Sequence, residues 1–188
     1  MNKQESPKSS REPNGHGEPR RIAIVGYGEG GGREHARRLR DEGHDVAVAV
    51  FPGGLSWVHA VHDGFRPMRA WEAVVGSEIV ILLVPDEELE AVYWEQVAPA
   101  ARPGTLLVFT QPNDLESDQL PPGVDVVLVS NSEDGCLLSV RQDATGEARS
   151  RALAYMQWMG GEVPRPRSSQ FRVNGETDPF PHPMRRVL

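Results

Sequence analysis

The chain has 188 residues, a formal net charge of −7 and a single cysteine. The acidic balance argues against nucleic acid or an anionic membrane as the main partner, and a lone thiol excludes an internal disulfide. No stretch approaches the roughly eighteen apolar residues of a membrane span, and the N-terminus has no apolar signal core, so a cytoplasmic protein is expected.

Residues 1–20 hold Ser, Pro, Gly, Glu, Lys and Arg and almost nothing to bury, which reads as a disordered tail with a solvated His16. From Arg21 the pattern changes to alternating strands and helices. Residues 21–25 are a short apolar strand. Gly26, Gly28 and Gly31 follow at G-x-G-x-x-G spacing, with Tyr27, Glu29 and Gly30 between them. A helix is predicted over 33–42, with Gly43 ending it. Strand, glycine turn and helix in that order suit a dinucleotide pyrophosphate. The first glycine allows the tight turn, and the second lets the backbone approach the phosphates. The third, Gly31, lets helix and strand pack closely, and the helix start offers free N–H groups. The alternative is a strand-to-helix turn that binds nothing. Arg33, Arg37, Arg38 and Arg40 read as the solvated face of this helix, with Leu39 turned inward.

A second strand is predicted over 45–50, apolar on both faces as in a buried parallel strand. Ser56 caps a short helix through His62, and a further short helix covers 71–75. Residues 79–84 are a strongly apolar strand ended by Pro85. A helix over 86–97 carries acids in its first turn, where they suit the helix dipole. Strands at 106–109 and 124–129 and a helix over 146–159 complete the pattern. Trp57, Trp71, Trp94 and Trp158 fall in helical patterns and are expected to pack against the sheet. His35, His44, His59 and His62 lack metal-ligand spacing, and Cys136 reads as a bystander thiol. This βαβα order implies an α/β fold: a mainly parallel, doubly wound sheet with helices on both faces. The domain is placed at residues 21–165, followed by an irregular tail over 166–188 in which prolines forbid a regular helix.

Several segments together resemble the N-terminal, Rossmann-like NAD(P)-binding domain of ketol-acid reductoisomerase, an enzyme of branched-chain amino-acid biosynthesis. They are GYGEGGGREHARRLRDEGHDV (26–46), SWVHAVHDGF (56–65), ILLVPDEELEAVYWEQVAPAARPG (81–104) and RQDATGEARSRALAYMQWMGG (141–161), with GETD (175–178) matching more weakly. The resemblance implies a cofactor site of Gly26, Tyr27, Gly28, Glu29, Gly30, Gly31, Ser56, Pro85, Asp86, Glu87 and Gly135. Helix capping is the alternative reading for Asp86 and Glu87, and for Ser56. An extra residue near Gly32 lengthens the turn relative to the family. Phe51 stands where the family has its phosphate-binding arginine. That implies a loss on the order of 1.5–3 kcal/mol in phosphate binding and weakened discrimination against NADH, so NADP(H) or NAD(H) is the expected cofactor.

The resemblance also places three departures at the chemistry. Thr110, followed by Gln111, takes the place of a family histidine. Ser132 takes the place of a lysine in a Pro-Lys-Gly-Pro-Gly loop. Asp178 aligns with a magnesium-binding aspartate, but His182 takes the second ligand's place. Proline spacing and a nitrogen ligand suit magnesium poorly, so no native magnesium site is expected. The family's second, all-helical domain is not reached by this sequence, so a homodimer or a partner chain covering that face is expected. The reading is an oxidoreductase-like protein that reduces a small C=O or C=N substrate rather than performing the full isomeroreductase reaction. The alternative is a non-catalytic nucleotide-binding or protein-interaction module.

Overall fold

The computed structural model describes residues 20–28, 31–111, 113, 115–132 and 135–160. Seven strands form one sheet in the order β3-β2-β1-β4-β5-β6-β7. They are β1 (Arg21–Val25), β2 (Asp45–Ala49), β3 (Pro67–Met68), β4 (Ile79–Leu82), β5 (Leu106–Phe109), β6 (Asp125–Ser132) and β7 (Gly135–Gln142). The first six run parallel, and β7 returns antiparallel beside β6. The expected doubly wound α/β sheet is therefore present.

The strand sequences explain their central position. β4 is Ile-Val-Ile-Leu and β5 is Leu-Leu-Val-Phe, and every residue of both is buried. Such continuous aliphatic runs suit a parallel strand covered on both faces. Alternate residues feed two cores. On one face Ile22, Ile24 and Val48 pack against α1 (Gly32–Asp41), α2 (Leu55–His62) and α5 (Ala148–Trp158) through Leu39, Ala60 and Ala152. On the other, Ala23, Val25 and Val80 meet α3 (Ala70–Val74) and α4 (Asp86–Val92) through Ala73 and Val92. Each buried aliphatic side chain contributes roughly 1.5–3 kcal/mol.

Several expectations need correction. β3 escapes the sequence pattern because it has only two residues, one of them a proline. β7 escapes because its Ser, Arg and Gln interrupt the apolar run. The helix expected over 86–97 changes character part-way: α4 continues as a π-helical turn, Tyr93–Val97. Ser56 does not cap α2. Gly54 holds the N-cap position and Ser56 lies inside the first turn. The tryptophans divide: Trp158 is buried, whereas Trp71 and Trp94 are exposed, so those two do not pack against the sheet as expected. No helix among the described residues is long and apolar enough to cross a membrane. The tails at 1–19 and 166–188, His16 included, lie outside the described residues.

Candidate functional site

The strand order reverses at β1. The chain moves from β1 to β2 and β3 on one side, then returns to β4 on the other. Open α/β sheets bind ligands in the crevice that such a reversal creates at the carboxyl ends of the strands. A cleft of about 760 Å³ lies there. Gly26, Tyr27 and Gly28 form its floor, Val50, Phe51, Gly54 and Ser56 one wall, and Leu83, Val84 and Pro85 another.

The floor is built for close approach. Gly26 has φ 103°, and a Cβ there would lie 2.5 Å from the Leu83 carbonyl oxygen. Its N–H donates to the Ala49 carbonyl at 3.0 Å, which locks the turn between β2 and β4. A Cβ on Gly32 would overlap the Gly26 carbonyl oxygen. Gly32, not Gly31, is therefore the glycine that lets α1 pack against the end of β1. The spacing in space is Gly26, Gly28 and Gly32, and the extra residue noted in the sequence is absorbed before the helix. Gly31 instead holds the N-cap of α1 in the left-handed region, with no side-chain cap on the helix. Uncapped first-turn N–H groups suit an anion.

Tyr27 anchors the turn from below. Its hydroxyl donates to Asp63 Oδ2 at 2.8 Å. Arg33 donates to both oxygens of Asp63, at 2.5 and 2.8 Å, and Arg37 donates to Oδ1 at 2.6 Å. The Arg33 guanidinium foremost holds the Asp63 carboxyl far below the usual carboxylate range. Burial, then the Asp63 hydrogen bond, pushes Tyr27 up to about 12. Arg40 donates to the Asp63 carbonyl at 2.9 Å and lies over the Phe65 ring, and Arg38 donates to the Trp158 carbonyl at 2.8 Å. The arginines of α1 lie on the solvent side of the helix with Leu39 inward, as expected, and they also bridge to α2 and α5.

Ser56 points toward the turn: a Cβ on Gly28 would come within 3.6 Å of its hydroxyl oxygen. Beyond the expected residues, Arg69, Trp71, Glu88, Val92, Glu95 and Gln96 also line the cleft. Arg69 and Trp71 follow β3, the strand that the sequence pattern does not reveal. Finding β3 would have marked the residue after it as a strand-end position. Glu95 and Gln96 belong to the π-helical turn, a feature often found at functional sites.

Residues 18–163 match the acetohydroxy acid isomeroreductase NADPH-binding domain. The chain belongs to that family. An NADH-preferring ketol-acid reductoisomerase from an uncultured archean is similar at 30% identity and TM-score 0.66, covering 74% of this chain and 48% of its own. The chain thus spans about half the length of that enzyme. Two more distant structures share the fold. A pyrroline-5-carboxylate reductase from Coxiella burnetii has 15% identity and TM-score 0.60, with 75% of this chain and 57% of the other covered. A 3-hydroxyisobutyrate dehydrogenase from Mycobacterium tuberculosis has 22% identity and TM-score 0.55, with 76% and 52% covered.

The other expected residues of this isomeroreductase-family chain are scattered. Asp86 and Glu87 occupy the exposed first turn of α4, outside the cleft lining, where their neighbour Glu88 reaches it. The Thr110 hydroxyl donates to the Leu82 carbonyl at 2.9 Å and is engaged in holding β5 to β4. Gln111 follows it, with a buried Oε1 that has no hydrogen-bond partner among the described residues. Ser132 and Gly135 pair with each other beside the turn of the β6–β7 hairpin. Burial pushes the Cys136 thiol up, the reverse of an activated nucleophile. Glu29, Gly30, Asp178 and His182 lie outside the described residues. Among the described residues no three carboxylate, imidazole or thiol groups converge as a metal site.

Proposed function

We propose that this chain binds a nicotinamide dinucleotide in the switch-point cleft and is an oxidoreductase-like protein acting on a small C=O or C=N substrate. One observation carries the reading: Gly26 and Gly32 have no room for a Cβ against the neighbouring backbone, and the tight turn they make sets Gly26 and Gly28 in the lining of the cleft at the end of β1. The turn they permit is tight enough to leave the backbone of Gly26 and Gly28 bare against the open cleft, which fits a pyrophosphate. In this reading the backbone of Gly26 and Gly28 and the uncapped start of α1 take the pyrophosphate. Phe51, Ser56 and Trp71 surround the adenosine end, and Leu83, Val84 and Pro85 form the apolar wall. When bound, the nicotinamide supplies hydride. The cofactor domain is set at residues 21–165.

We do not extend the proposal to the full isomeroreductase reaction. Alkyl migration needs a metal to polarise the substrate, and the sequence sets His182, amid prolines, where the family has the second magnesium ligand beside Asp178. The strand-end positions Thr110, Gln111 and Ser132 also bring no imidazole or ammonium group to the site. The engaged Thr110 hydroxyl favours a second reading, in which the chain holds a dinucleotide without turnover. Exposed Leu55, Val58 and Val61 on α2 support the further proposal of a homodimer or a partner chain, to be checked by light scattering.

Titration calorimetry with NADPH and NADH tests the binding. Saturable binding supports the reading, and failure of both nucleotides to bind removes it. Turnover of acetolactate with magnesium and NADPH at ordinary enzymatic rates would overturn the restriction to simple reduction.

A further inference from the structure

The end of β2 continues as Val50-Phe51-Pro52-Gly53-Gly54 and carries no carboxylate. A dinucleotide with a free ribose 2′-hydroxyl is usually held by an acid at this place, whereas a 2′-phosphate calls for a nearby guanidinium. The adjacent strand supplies one. Ala49 of β2 pairs with Met68 of β3, and the Val50 N–H donates to the Met68 carbonyl at 3.0 Å. Arg69, the next residue, therefore stands beside Val50 and Phe51 at the carboxyl edge of the sheet. Arg69, Phe51, Ser56 and Trp71 line the same cleft.

Arg69 is also held in a way that leaves its charge available. Its N–H donates to Glu72 Oε2 at 2.9 Å, and its carbonyl accepts the N–H groups of Glu72 and Ala73, both at 3.1 Å. The backbone is fixed at the entry to α3. The guanidinium, in contrast, makes no hydrogen bond or ion pair with any described residue, whereas the arginines of α1 are engaged. The acids of the cleft, Glu88 and Glu95, come from the segment after β4, which lies across β1 from the β2–β3 pair.

We propose that Arg69 selects the 2′-phosphorylated dinucleotide, taking the phosphate from the β3–α3 junction while the Ser56 hydroxyl adds a donor from α2. The inference rests on the cofactor reading above. It reverses the expectation that Phe51 alone weakens discrimination against NADH, because the missing cation is replaced from a neighbouring strand. A planar guanidinium forms paired, charge-assisted hydrogen bonds to phosphate that glutamine cannot reproduce.

The test is titration calorimetry of the full chain with NADP⁺ and NAD⁺, for the wild type, Arg69→Gln and Arg69→Lys. The wild type is expected to bind NADP⁺ at least about tenfold more tightly than NAD⁺. Arg69→Gln should lose roughly ten- to a hundredfold in NADP⁺ affinity, with NAD⁺ affinity held within about twofold. Arg69→Lys, which keeps the charge but not the fork, should fall between. Thermal melting should be unchanged, because the side chain is exposed and unengaged. If both nucleotides bind but Arg69→Gln leaves their ratio unmoved, the assignment of Arg69 is wrong and the cofactor reading stands. If neither nucleotide binds the wild type, the cofactor reading itself fails and takes this inference with it.

Discussion

The two ends of the sheet are built on opposite principles. At the amino ends of β4, β5 and β6 the polar groups are tied together. Arg151 donates to the Gly104 carbonyl at 2.8 Å, the Glu78 carbonyl at 2.7 Å and Asp125 Oδ2 at 3.1 Å. Asp125 also accepts the N–H groups of Ala144 and Thr145 and the Thr145 hydroxyl. One arginine thus joins the entries to β4, β5 and β6. At the carboxyl ends the reverse holds. The α1 and α2 helices start without side-chain caps, the floor is glycine, and Arg69 is unengaged. Buried polar groups are costly unless satisfied, so the stapled end stabilises the fold while the open end leaves donors for a ligand. The Asp63 clamp lies beneath the open end and fixes the turn without filling the cleft.

Substitutions that separate the two ends sharpen this contrast, and the largest effect belongs to the stapled end. Asp125→Ala leaves Arg151, which is only 16% exposed, without its carboxylate. A loss of about 3–5 kcal/mol in urea unfolding is expected, with nucleotide affinity of the folded protein retained; a loss of affinity at unchanged stability would refute the division. Gly32→Ala forces a methyl group against the Gly26 carbonyl. It should cost roughly 1–3 kcal/mol and abolish NADPH quenching of tryptophan fluorescence, and intact quenching would detach the turn from the cofactor. Tyr27→Phe removes one hydroxyl from Asp63, which keeps Arg33 and Arg37. About 1 kcal/mol should be lost, with only a modest weakening of binding in calorimetry.

The smallest effect is a tilt with pH. Burial lowers the proton affinity of His35 and His44 in the folded chain. The unfolded chain takes up those protons near pH 6.5, so it binds more protons than the native state just below that value. Stability is complete above this range and declines on acidification. The Asp63 carboxyl is lowered too, here by hydrogen bonds, that from Arg33 foremost, against the opposing effect of burial. Its contribution is full above about pH 4 and disappears as pH falls through its folded value. Urea midpoints at descending pH should therefore fall; a midpoint that rises from pH 7 to 5 contradicts the histidine assignment, and one that holds steady below about pH 4 contradicts that of Asp63.

Much of the fold was legible because parallel strands here are unbroken aliphatic runs punctuated by glycine and proline. Residues 21–25, 79–82 and 106–109 announce themselves by composition alone. The glycine turn was legible as a motif but not in its geometry. Two glycines stand side by side at 31 and 32, and only the distance to the Gly26 carbonyl shows which one packs against the strand. The edges were not legible. Pro67-Met68 is too short for any pattern, and missing it hid Arg69. The salt links of Asp63 join residues about thirty positions apart, so the four arginines of α1 looked like ordinary surface charge. Ser56 resembled a cap because its residue type favours one, yet Gly54 took that place.

The unequal edges of the sheet have a consequence for assembly. β3 offers a neighbour two residues, and Pro67 has no N–H to donate. β7 offers eight, and among the described residues no strand pairs with its outer side. Any extension of the sheet by an added strand, whether in a specific complex or in aggregation, is therefore directional. It is blocked at the margin next to the cleft and open at the far one.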